Sequence, residues 1–229
     1  LERLQMIVCI PDVLSGEEIQ KIRKEAAAMP FVPGTETAGG RAKRVKNNEQ
    51  ISQKADERKI LHEIVIAALM RSRPFTRAAL PKRIRPPLIS RYRPGMAYGQ
   101  HVDNALMGPK LARERSDVSC TVFISDINEY DGGELVIHSP FGLQEVKLPS
   151  GSAVVYPSST LHEVAEVTRG ERLVAVTWIQ SYVRDERQRE ILAHVSRMKD
   201  KLGELSPDAE ETDLAHQTHA NLMRMWAET

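Results

Sequence analysis

The chain has 229 residues, two cysteines and a formal net charge of +1, with 32 Lys and Arg against 31 Asp and Glu. A chain of this length can bury a large apolar core without disulfides, and Cys9 and Cys120 are far apart and lack CxxC spacing, which favours a reducing, cytoplasmic location. No stretch approaches the roughly 20 apolar residues that span a bilayer, and no signal-peptide pattern is seen, so no membrane partner is expected. Whether Leu1 to Gln5 belong to the natural chain is left open, because Met6 is a candidate start.

Two amphipathic helices are predicted near the N-terminus. Ser15 and Glu18 have the S-x-x-E spacing of a capping box, so a helix is expected to start here and to run to about Met29. The segment ADERKILHEIVIAALMR, residues 55–71, repeats its apolar residues with a helical period and predicts a second helix that stops before Pro74.

The segment from Arg41 to Arg93 is strongly basic. It contains 15 Lys or Arg and 4 Asp or Glu, a local balance of +11, whereas the remainder of the chain carries −10. Such a segment can steer an anionic substrate or a nucleic acid toward one face of the protein. Solvated charge on helices and loops is the alternative interpretation.

Short β-type segments dominate from residue 86 onward. They are strand-sized, rich in Val, Ile and aromatic residues, and divided by turn residues: PPLISRY, SCTVFISD, GELVIH, LQEVKL, SAVVYP, HEVAEV and RLVAVTWIQ. Many short strands at this spacing are typical of an all-β sandwich or barrel such as a jelly roll. SPFG, residues 139–142, and TRG, residues 168–170, are predicted hairpin turns.

The helical period returns after Tyr182. Apolar residues from Ile191 to Leu202 form one stripe, and Gly203 is the predicted stop of that helix. A further helix around Asp213 to Trp226 is expected to bury Leu214, Leu222 and Trp226. These helices offer a surface on which a homodimer could form, and the oligomeric state is left open.

Together these patterns predict a mainly β protein with flanking helices. Its core is a double-stranded β-helix, or jelly roll, with the N-terminal helices packed on it and a C-terminal helical extension. We expect one domain over residues 1–183, with a helical part at about 1–85 and the jelly-roll core at about 86–183, followed by the extension at 184–229.

His101 and Asp103 form an H-x-D pair in the segment YRPGMAYGQHVDN. On a β-strand, side chains two residues apart point to the same face, so the two are candidate neighbouring metal ligands. The pair alone has little specificity, and other residues must supply it.

A third ligand is expected on a later strand, in LHEVAEVTRGERLVAVTW. If TRG closes a hairpin, His162 lies opposite Val176 and Arg172 lies opposite Glu166. His162 and Arg172 would then face the same cavity, separated by about four residues or roughly 13 Å.

Two histidines and one carboxylate with open coordination positions are the ligand set of non-haem Fe(II) oxygenases. An arginine across the pocket calls for a carboxylate, which its planar fork can hold with two hydrogen bonds. A metal-chelating acid with a second carboxylate at its far end meets both demands. 2-Oxoglutarate is such an acid.

The ordered motifs resemble the prolyl 4-hydroxylase branch of the Fe(II)- and 2-oxoglutarate-dependent dioxygenases, and most closely the bacterial PKHD-type hydroxylase family. The resemblance covers essentially the whole chain. Its motifs are RVKNN (44–48), Y-x-x-G-x-x-Y-x-x-H-x-D (92–103), MAYG-x-HVDN (96–104), DGGEL (131–135), LH-x-V-x-x-V-x-x-G-x-R (161–172) and WIQS-x-VRD (178–185).

By this resemblance, His101, Asp103 and His162 are the iron ligands, and Arg172 anchors the far carboxylate of 2-oxoglutarate. Tyr92 matches a tyrosine that contacts the cosubstrate in relatives.

One departure from the family pattern concerns cosubstrate binding. Where some relatives have a cosubstrate-binding tyrosine on the strand after H-x-D, this chain has Phe123, which cannot donate that hydrogen bond. Thr121 and Tyr92 are the candidates to replace it. Tyr98 looks like a pocket or substrate-facing residue, and Asn47 and Asn48 are candidates for the substrate mouth or for a turn.

The resemblance implies an enzyme that hydroxylates a C–H bond of a peptide, amino acid or amino-acid-derived small molecule and releases succinate and CO2. Its cofactors would be Fe(II), 2-oxoglutarate and O2, with ascorbate as a candidate reductant. In this interpretation no nucleic-acid partner is expected. Two alternatives are an oxidative nucleobase demethylase, suggested by the basic segment and testable by salt-dependent nucleic-acid binding, and a non-enzymatic iron or 2-oxoglutarate sensor.

Overall fold

A computed structural model of the chain describes residues 7–40, 42–53, 58–139 and 142–228. These residues form six α-helices and one short 3-10 helix: α1 Gly16–Ala27, Gly34–Glu36 (3-10), α2 Ala42–Val45, α3 Arg58–Arg71, α4 Arg73–Ala79, α5 Glu186–Leu205 and α6 Glu210–Trp226. They also form 17 strands: β1 Val8–Ile10, β2 Phe31–Pro33, β3 Lys46–Asn47, β4 Glu49–Ile51, β5 Pro81–Ile84, β6 Leu88–Tyr92, β7 Ala97–His101, β8 Leu106–Met107, β9 Glu114–Arg115, β10 Val118–Phe123, β11 Tyr130–Gly132, β12 Leu135–Ser139, β13 Gly142–Val146, β14 Ala153–Pro157, β15 His162–Val164, β16 Val167–Gly170 and β17 Arg172–Ser181.

Two antiparallel sheets build the core. The larger has the strand order β1-β14-β10-β17-β6-β4-β2, with β5 beside β17, and the smaller has the order β13-β12-β15-β7-β3. Two short ribbons, β11-β16 and β8-β9, complete the pairing. Side chains of both sheets line one cavity, so the predicted mainly β jelly roll with flanking helices is confirmed.

Period-two alternation divides the strand β10 between two apolar clusters. Val118, Cys120 and Val122 belong to the cluster that joins the larger sheet to the helices α1, α3 and α4. Phe123 belongs to a second cluster, which includes residues of both sheets. Because β10 is buried on both faces, its polar residues on the cavity side need partners within the protein.

The predicted N-terminal helices are present. Both hydrogen bonds of the capping box at Ser15 and Glu18 are formed, and α1 ends at Ala27, two residues before the expected end. The second helix ends at Arg71, and Pro74 lies in the first turn of the separate helix α4, where its missing N–H costs no helical hydrogen bond. The first residues of the predicted second helix, 55–57, lie outside the described residues, as do Leu1 to Gln5 and Met6.

The C-terminal prediction is wrong in two details. Helix α5 continues through Gly203 to Leu205, because a glycine inside a helix costs only about 1 kcal/mol and does not by itself end it. Leu214 is 51% exposed, because α6 turns Thr212 inward and leaves Leu214 on its open side. The helical extension packs on α4, where Arg77 and Asp200 form an ion pair of 2.5 Å.

Of the two predicted hairpin turns, the SPFG turn lies partly outside the described residues, because residues 140 and 141 are not described. The flanking strands β12 and β13 pair antiparallel, with Ser139 opposite Gly142. The prediction of a turn at TRG is wrong, because Thr168 to Gly170 belong to β16, which pairs with β11.

The division of the chain into a domain at residues 1–183 and an extension at residues 184–229 stays a prediction. None of the described helices is both long enough and apolar enough to cross a membrane.

Candidate active site

The three predicted metal ligands lie together on the smaller sheet. His101 ends β7, Asp103 follows two residues later, and His162 begins β15. Because β15 pairs with β7, His162 is the direct neighbour of His101 across the strands. One ligand atom from each of the three residues lies within 4.8 Å of the others, and His162 Nε2 lies 3.8 Å from Asp103 Oδ2.

Backbone carbonyls orient both imidazoles. His101 Nδ1 donates to Gly99 O at 2.8 Å, and His162 Nδ1 donates to Thr160 O at 2.9 Å, since a carbonyl oxygen can only accept. Burial, together with the neighbouring His162, lowers the pKa of His101 to about 4. Its ring is therefore neutral near pH 7, and the Nε2 lone pair is available to a metal.

Hydrogen bonds and ring stacking hold the rest of the cluster. Ser119 Oγ donates to Asp103 Oδ2 at 2.6 Å and lies 2.8 Å from Ser158 Oγ. The Tyr98 ring stacks on His101 at a centroid distance of 3.6 Å, and Tyr156 meets His162 edge-on at 5.1 Å. The side-chain rotations of the three candidate ligands are thus restricted without a metal.

Arg172 does not follow the predicted hairpin register. It lies on β17 of the larger sheet, opposite Tyr92 on β6, and not opposite Glu166. His162 pairs with His101 and with Ile137 of β12, and not with Val176. The reason is that the intervening β16 crosses from one sheet to the other and pairs with β11. His162 and Arg172 nevertheless line the same cavity, from different sheets.

The Arg172 side chain is 1% exposed and has no carboxylate partner within the described ranges. Its guanidinium carbon lies 5.1 Å from the Tyr92 ring centre and 5.6 Å from that of Phe123, and among the described residues its Nε has no hydrogen-bond partner. A buried cation without a counterion is unfavourable. A carboxylate that entered the cavity would satisfy it.

Gly133 makes room for that arginine. Its φ of +67° is in the left-handed region, and a Cβ there would lie 2.9 Å from Arg172 Cδ. The DGGEL motif thus contains a position at which the packing of Arg172 and the backbone conformation both require glycine.

Three buried phenols, those of Tyr92, Tyr130 and Tyr156, interact electrostatically with the guanidinium, and two of them line the cavity: Tyr92 and Tyr156. Burial raises the pKa of Tyr92, against the opposing effects of the Arg172 charge and a hydrogen bond from Asn48. Burial also raises the pKa of Tyr156 well above its ordinary value. Both hydroxyls therefore stay protonated near neutral pH and can donate to an anion. Tyr92 and Thr121 line the cavity as candidate cosubstrate residues, while Phe123 has no polar atom to offer.

The cavity has a volume of about 550 Å³. Asn48 lines it, and its buried Oδ1 has no hydrogen-bond partner among the described residues, whereas Asn47 is exposed and donates to Gly95 O at 3.0 Å. Tyr156 and Lys46 also line the cavity, and both were missed from the sequence. Tyr156 is detectable from the alternation of SAVVYP, and Lys46 from its place in RVKNN, but neither pattern tells which face is the cavity.

The donors fit the groups that the sequence analysis predicted. Two imidazoles and a carboxylate suit Fe(II) and leave coordination positions open. The buried guanidinium, which has no carboxylate partner among the described residues, suits the far carboxylate of 2-oxoglutarate.

Comparisons with known proteins agree. Residues 87–180 match the profile of the 2OG-Fe(II) oxygenase superfamily. A PKHD-type hydroxylase of Synechococcus sp. (strain JA-2-3B'a(2-13)) is 46% identical, covering 97% of this chain and 100% of the relative. Among solved structures, a Pseudomonas putida prolyl-4-hydroxylase matches with a TM-score of 0.54 and 18% identity over 78% of this chain and 94% of that chain. Another match is a prolyl hydroxylase from Trichoplax adhaerens in complex with a hypoxia inducible factor oxygen degradation domain peptide fragment. It has a TM-score of 0.54 and 13% identity, and the match covers 82% of this chain and 87% of that chain.

The fold and the site define a 2-oxoglutarate-dependent dioxygenase that uses Fe(II), 2-oxoglutarate and O2, and the sequence-based prediction of this class is confirmed. Because the identity of 46% extends over the full length of the relative, the chain belongs to the PKHD-type hydroxylase family.

Proposed function

We propose that the enzyme hydroxylates a C–H bond of a peptide, amino acid or amino-acid-derived small molecule and releases succinate and CO2. The observation that carries this proposal is the shared cavity: three clustered ligand residues on one sheet face an unpaired buried guanidinium on the other. The peptide and amino-acid classes are supported by the prolyl hydroxylases among the similar structures.

Each residue has a proposed task. His101, Asp103 and His162 hold Fe(II), and when bound the iron supplies oxidation of the substrate by O2, coupled to decarboxylation of 2-oxoglutarate. Arg172 binds the far carboxylate of 2-oxoglutarate, with Tyr92 as a hydroxyl donor. Tyr156 is a second donor beside Arg172 and replaces the tyrosine that is absent at position 123.

The rest of the cavity wall keeps water away from the reacting groups. Tyr98 covers one face of His101, and Leu135, Val164 and Val176 add apolar surface. Exclusion of water strengthens the interactions of Arg172 and of the ligand residues with the bound anion and metal.

The nucleobase demethylase is less well supported than the hydroxylase, although three basic side chains of the segment line the cavity: Lys46, Arg58 and Arg85. Several arginines of the basic segment are paired with carboxylates from other elements, as in Arg71–Glu18, Arg77–Asp200 and Arg91–Glu49, and so are less available to a nucleic acid. The non-enzymatic sensor is not retained, because the family relation shows an enzyme.

The test is succinate release from 2-oxoglutarate by purified protein with Fe(II) and with ascorbate, the proposed reductant. Untargeted profiling of a metabolite extract should show a product heavier by one oxygen. Asp103→Ala should abolish both signals, while Asp131→Ala, at an exposed carboxylate paired with Arg169, should preserve them. Undiminished turnover by Asp103→Ala would reject the site.

We also propose a cytoplasmic location, consistent with the two free thiols, of which Cys9 is exposed.

A further inference from the structure

The charges around the outer cavity have one sign. Apart from the three ligand residues and Arg172, the charged side chains that line the cavity in the described part of the chain are all basic: Lys46, Arg58, Arg85 and Arg113. Asp103 is the one carboxylate among the described lining residues. Such a cavity has a positive potential that attracts anions.

Lys46 is the basic residue nearest to the metal ligands in the fold. It lies on β3, directly across from Tyr98, which stacks on His101. Its Nζ lies 5.2 Å from the Tyr98 ring centre and donates to Thr37 Oγ1 at 3.3 Å. No carboxylate forms an ion pair with it among the described residues.

Burial lowers the pKa of Lys46 to about 8, while the Asp103 charge acts in the opposite direction. At pH 7 the ammonium is therefore still mostly protonated. A half-buried ammonium with one hydroxyl acceptor has unused donors and a charge without an ion-pair partner.

The other basic side chains are partly engaged. Arg85 Nη1 lies 3.2 Å from Glu114 Oε2, and Arg58 Nη1 donates to the neutral Gln53 Oε1 at 2.6 Å. Arg113 is exposed and has no ion-pair partner within the described ranges. These three contribute to the field at the cavity mouth, whereas Lys46 is the half-buried cation beside Tyr98.

Binding of Fe(II) and 2-oxoglutarate would not balance the positive charge of Lys46. The two positive charges of Fe(II) and the charge of Arg172 balance the single negative charge of Asp103 and the two of 2-oxoglutarate. The metal also takes up the Asp103 carboxylate, which attracts Lys46 before loading. The half-buried Lys46 ammonium then has no balancing carboxylate among the described lining residues, and a substrate anion would supply one.

We propose that the substrate carries a carboxylate near the carbon that is hydroxylated, and that Lys46 binds this carboxylate. The proposal deepens the proposed function and rests on it. A carboxylate accepts hydrogen bonds from the ammonium and has a second oxygen for another donor. Trp178 lines the same cavity from the larger sheet, and its Nε1 is buried without a hydrogen-bond partner among the described residues, so it is a candidate for that donor.

The first experiment identifies whether the substrate needs a carboxylate. Metabolites and digested peptides from a bacterial lysate are divided into an untreated pool and a pool whose carboxylates are converted to amides, and each pool is incubated with the enzyme, Fe(II) and 2-oxoglutarate. A product heavier by one oxygen is expected in the untreated pool only. The same oxygenated product, in amidated form, from the amidated pool would overturn the proposal.

The second experiment tests Lys46 on the identified substrate. Lys46→Met keeps the side-chain length and removes the charge, so it should raise the substrate KM by about 10- to 100-fold and change kcat little. The KM for 2-oxoglutarate should stay the same, which separates substrate binding from general attraction of the anionic cosubstrate. Lys46→Arg should restore part of the affinity.

Lys43→Met is the matched control, because it removes an equal charge from the exposed face of α2, outside the cavity. Its substrate KM should equal that of the wild type. The melting temperature of Lys46→Met should not fall, since the variant removes a half-buried charge without an ion-pair partner. An unchanged substrate KM for Lys46→Met would reject the proposal.

The two levels of failure are distinguishable. If neither pool supports succinate release by the wild type, the proposed function fails. If succinate is released and the amidated pool gives an oxygenated product, the hydroxylase assignment holds and only the role of Lys46 fails.

Discussion

At the scale of single residues, the site depends on residues that orient the three proposed metal ligands but are not ligands themselves. Gly99 and Thr160 supply the carbonyls that fix the imidazole tautomers, and Ser119 holds the Asp103 carboxylate. Such outer contacts restrict the ligands to one orientation before the metal arrives, which lowers the entropic cost of binding.

Replacing Ser119 by alanine is expected to weaken metal binding by about 10- to 100-fold, because Asp103 loses the hydrogen bond that positions it. Calorimetric titration of the metal-free protein with Mn(II) measures this. Ser158→Ala is the matched control, because it leaves the bond between Ser119 and Asp103 in place. Equal affinities of the wild type and Ser119→Ala would show that other contacts hold the carboxylate.

At the scale of elements, the Glu18 carboxylate both caps α1 and connects it to α3. Glu18 completes the capping box of α1 and also accepts hydrogen bonds from Arg71 at the end of α3, the shortest at 2.9 Å. A local sequence signal thus coincides with a tertiary contact. The Arg71 guanidinium holds the pKa of Glu18 below its ordinary value of 4.5.

Glu18→Gln should lower the free energy of unfolding at pH 7 by about 0.5 kcal/mol, since the pair is partly exposed and the amide keeps the capping acceptor. The folded-state pKa is lowered, so this stabilisation is present above pH 4.5 and is lost as the pH falls through the folded-state value. Urea unfolding at pH 7 and pH 3 measures the difference. The control Glu17→Gln, in the same helical turn, should change the free energy of unfolding little. If the destabilisation by Glu18→Gln were equally large at pH 3, an ionic origin would be contradicted.

The homodimer also belongs to this scale and stays a prediction. Ile191, Met198 and Leu205 of α5 are exposed and recur at every seventh position, two helical turns apart. They form the apolar stripe on which a second copy could pack.

At the scale of the whole molecule, the site joins the two sheets. The metal ligands belong to the smaller sheet and its continuation, whereas Arg172 belongs to the larger. A ligand that contacts both is bound only by the folded chain, so it should stabilise the fold in two separable steps.

Mn(II) is expected to raise the melting temperature, and 2-oxoglutarate at a hundred times its Kd should add about 2.7 kcal/mol, or roughly 5–10 °C. Differential scanning fluorimetry measures each increment against the metal-free form of the same variant. His162→Ala should lose both increments, and Arg172→Gln should lose only the second. Arg169→Gln, at an exposed arginine paired with Asp131, should keep both. A full 2-oxoglutarate increment in Arg172→Gln would exclude Arg172 as the anchor.

The sequence by itself determined the local elements and the identities of the reacting groups. The capping box, the period-two strands and the ordered spacing of His101, Asp103, His162 and Arg172 are properties of neighbouring residues or of a family motif. They were sufficient to predict the jelly roll, the class of enzyme and its cofactors.

The tertiary structure alone decided which strands meet. His162 pairs with β7 and Arg172 with β6, in different sheets, where a hairpin was expected. The same long-range pairing brings Ser119 to Asp103, and Tyr156 and Lys46 to the cavity. The physical reason is that strand pairing is set by the burial of both sheet faces across the whole core, so a local turn signal such as TRG cannot determine it.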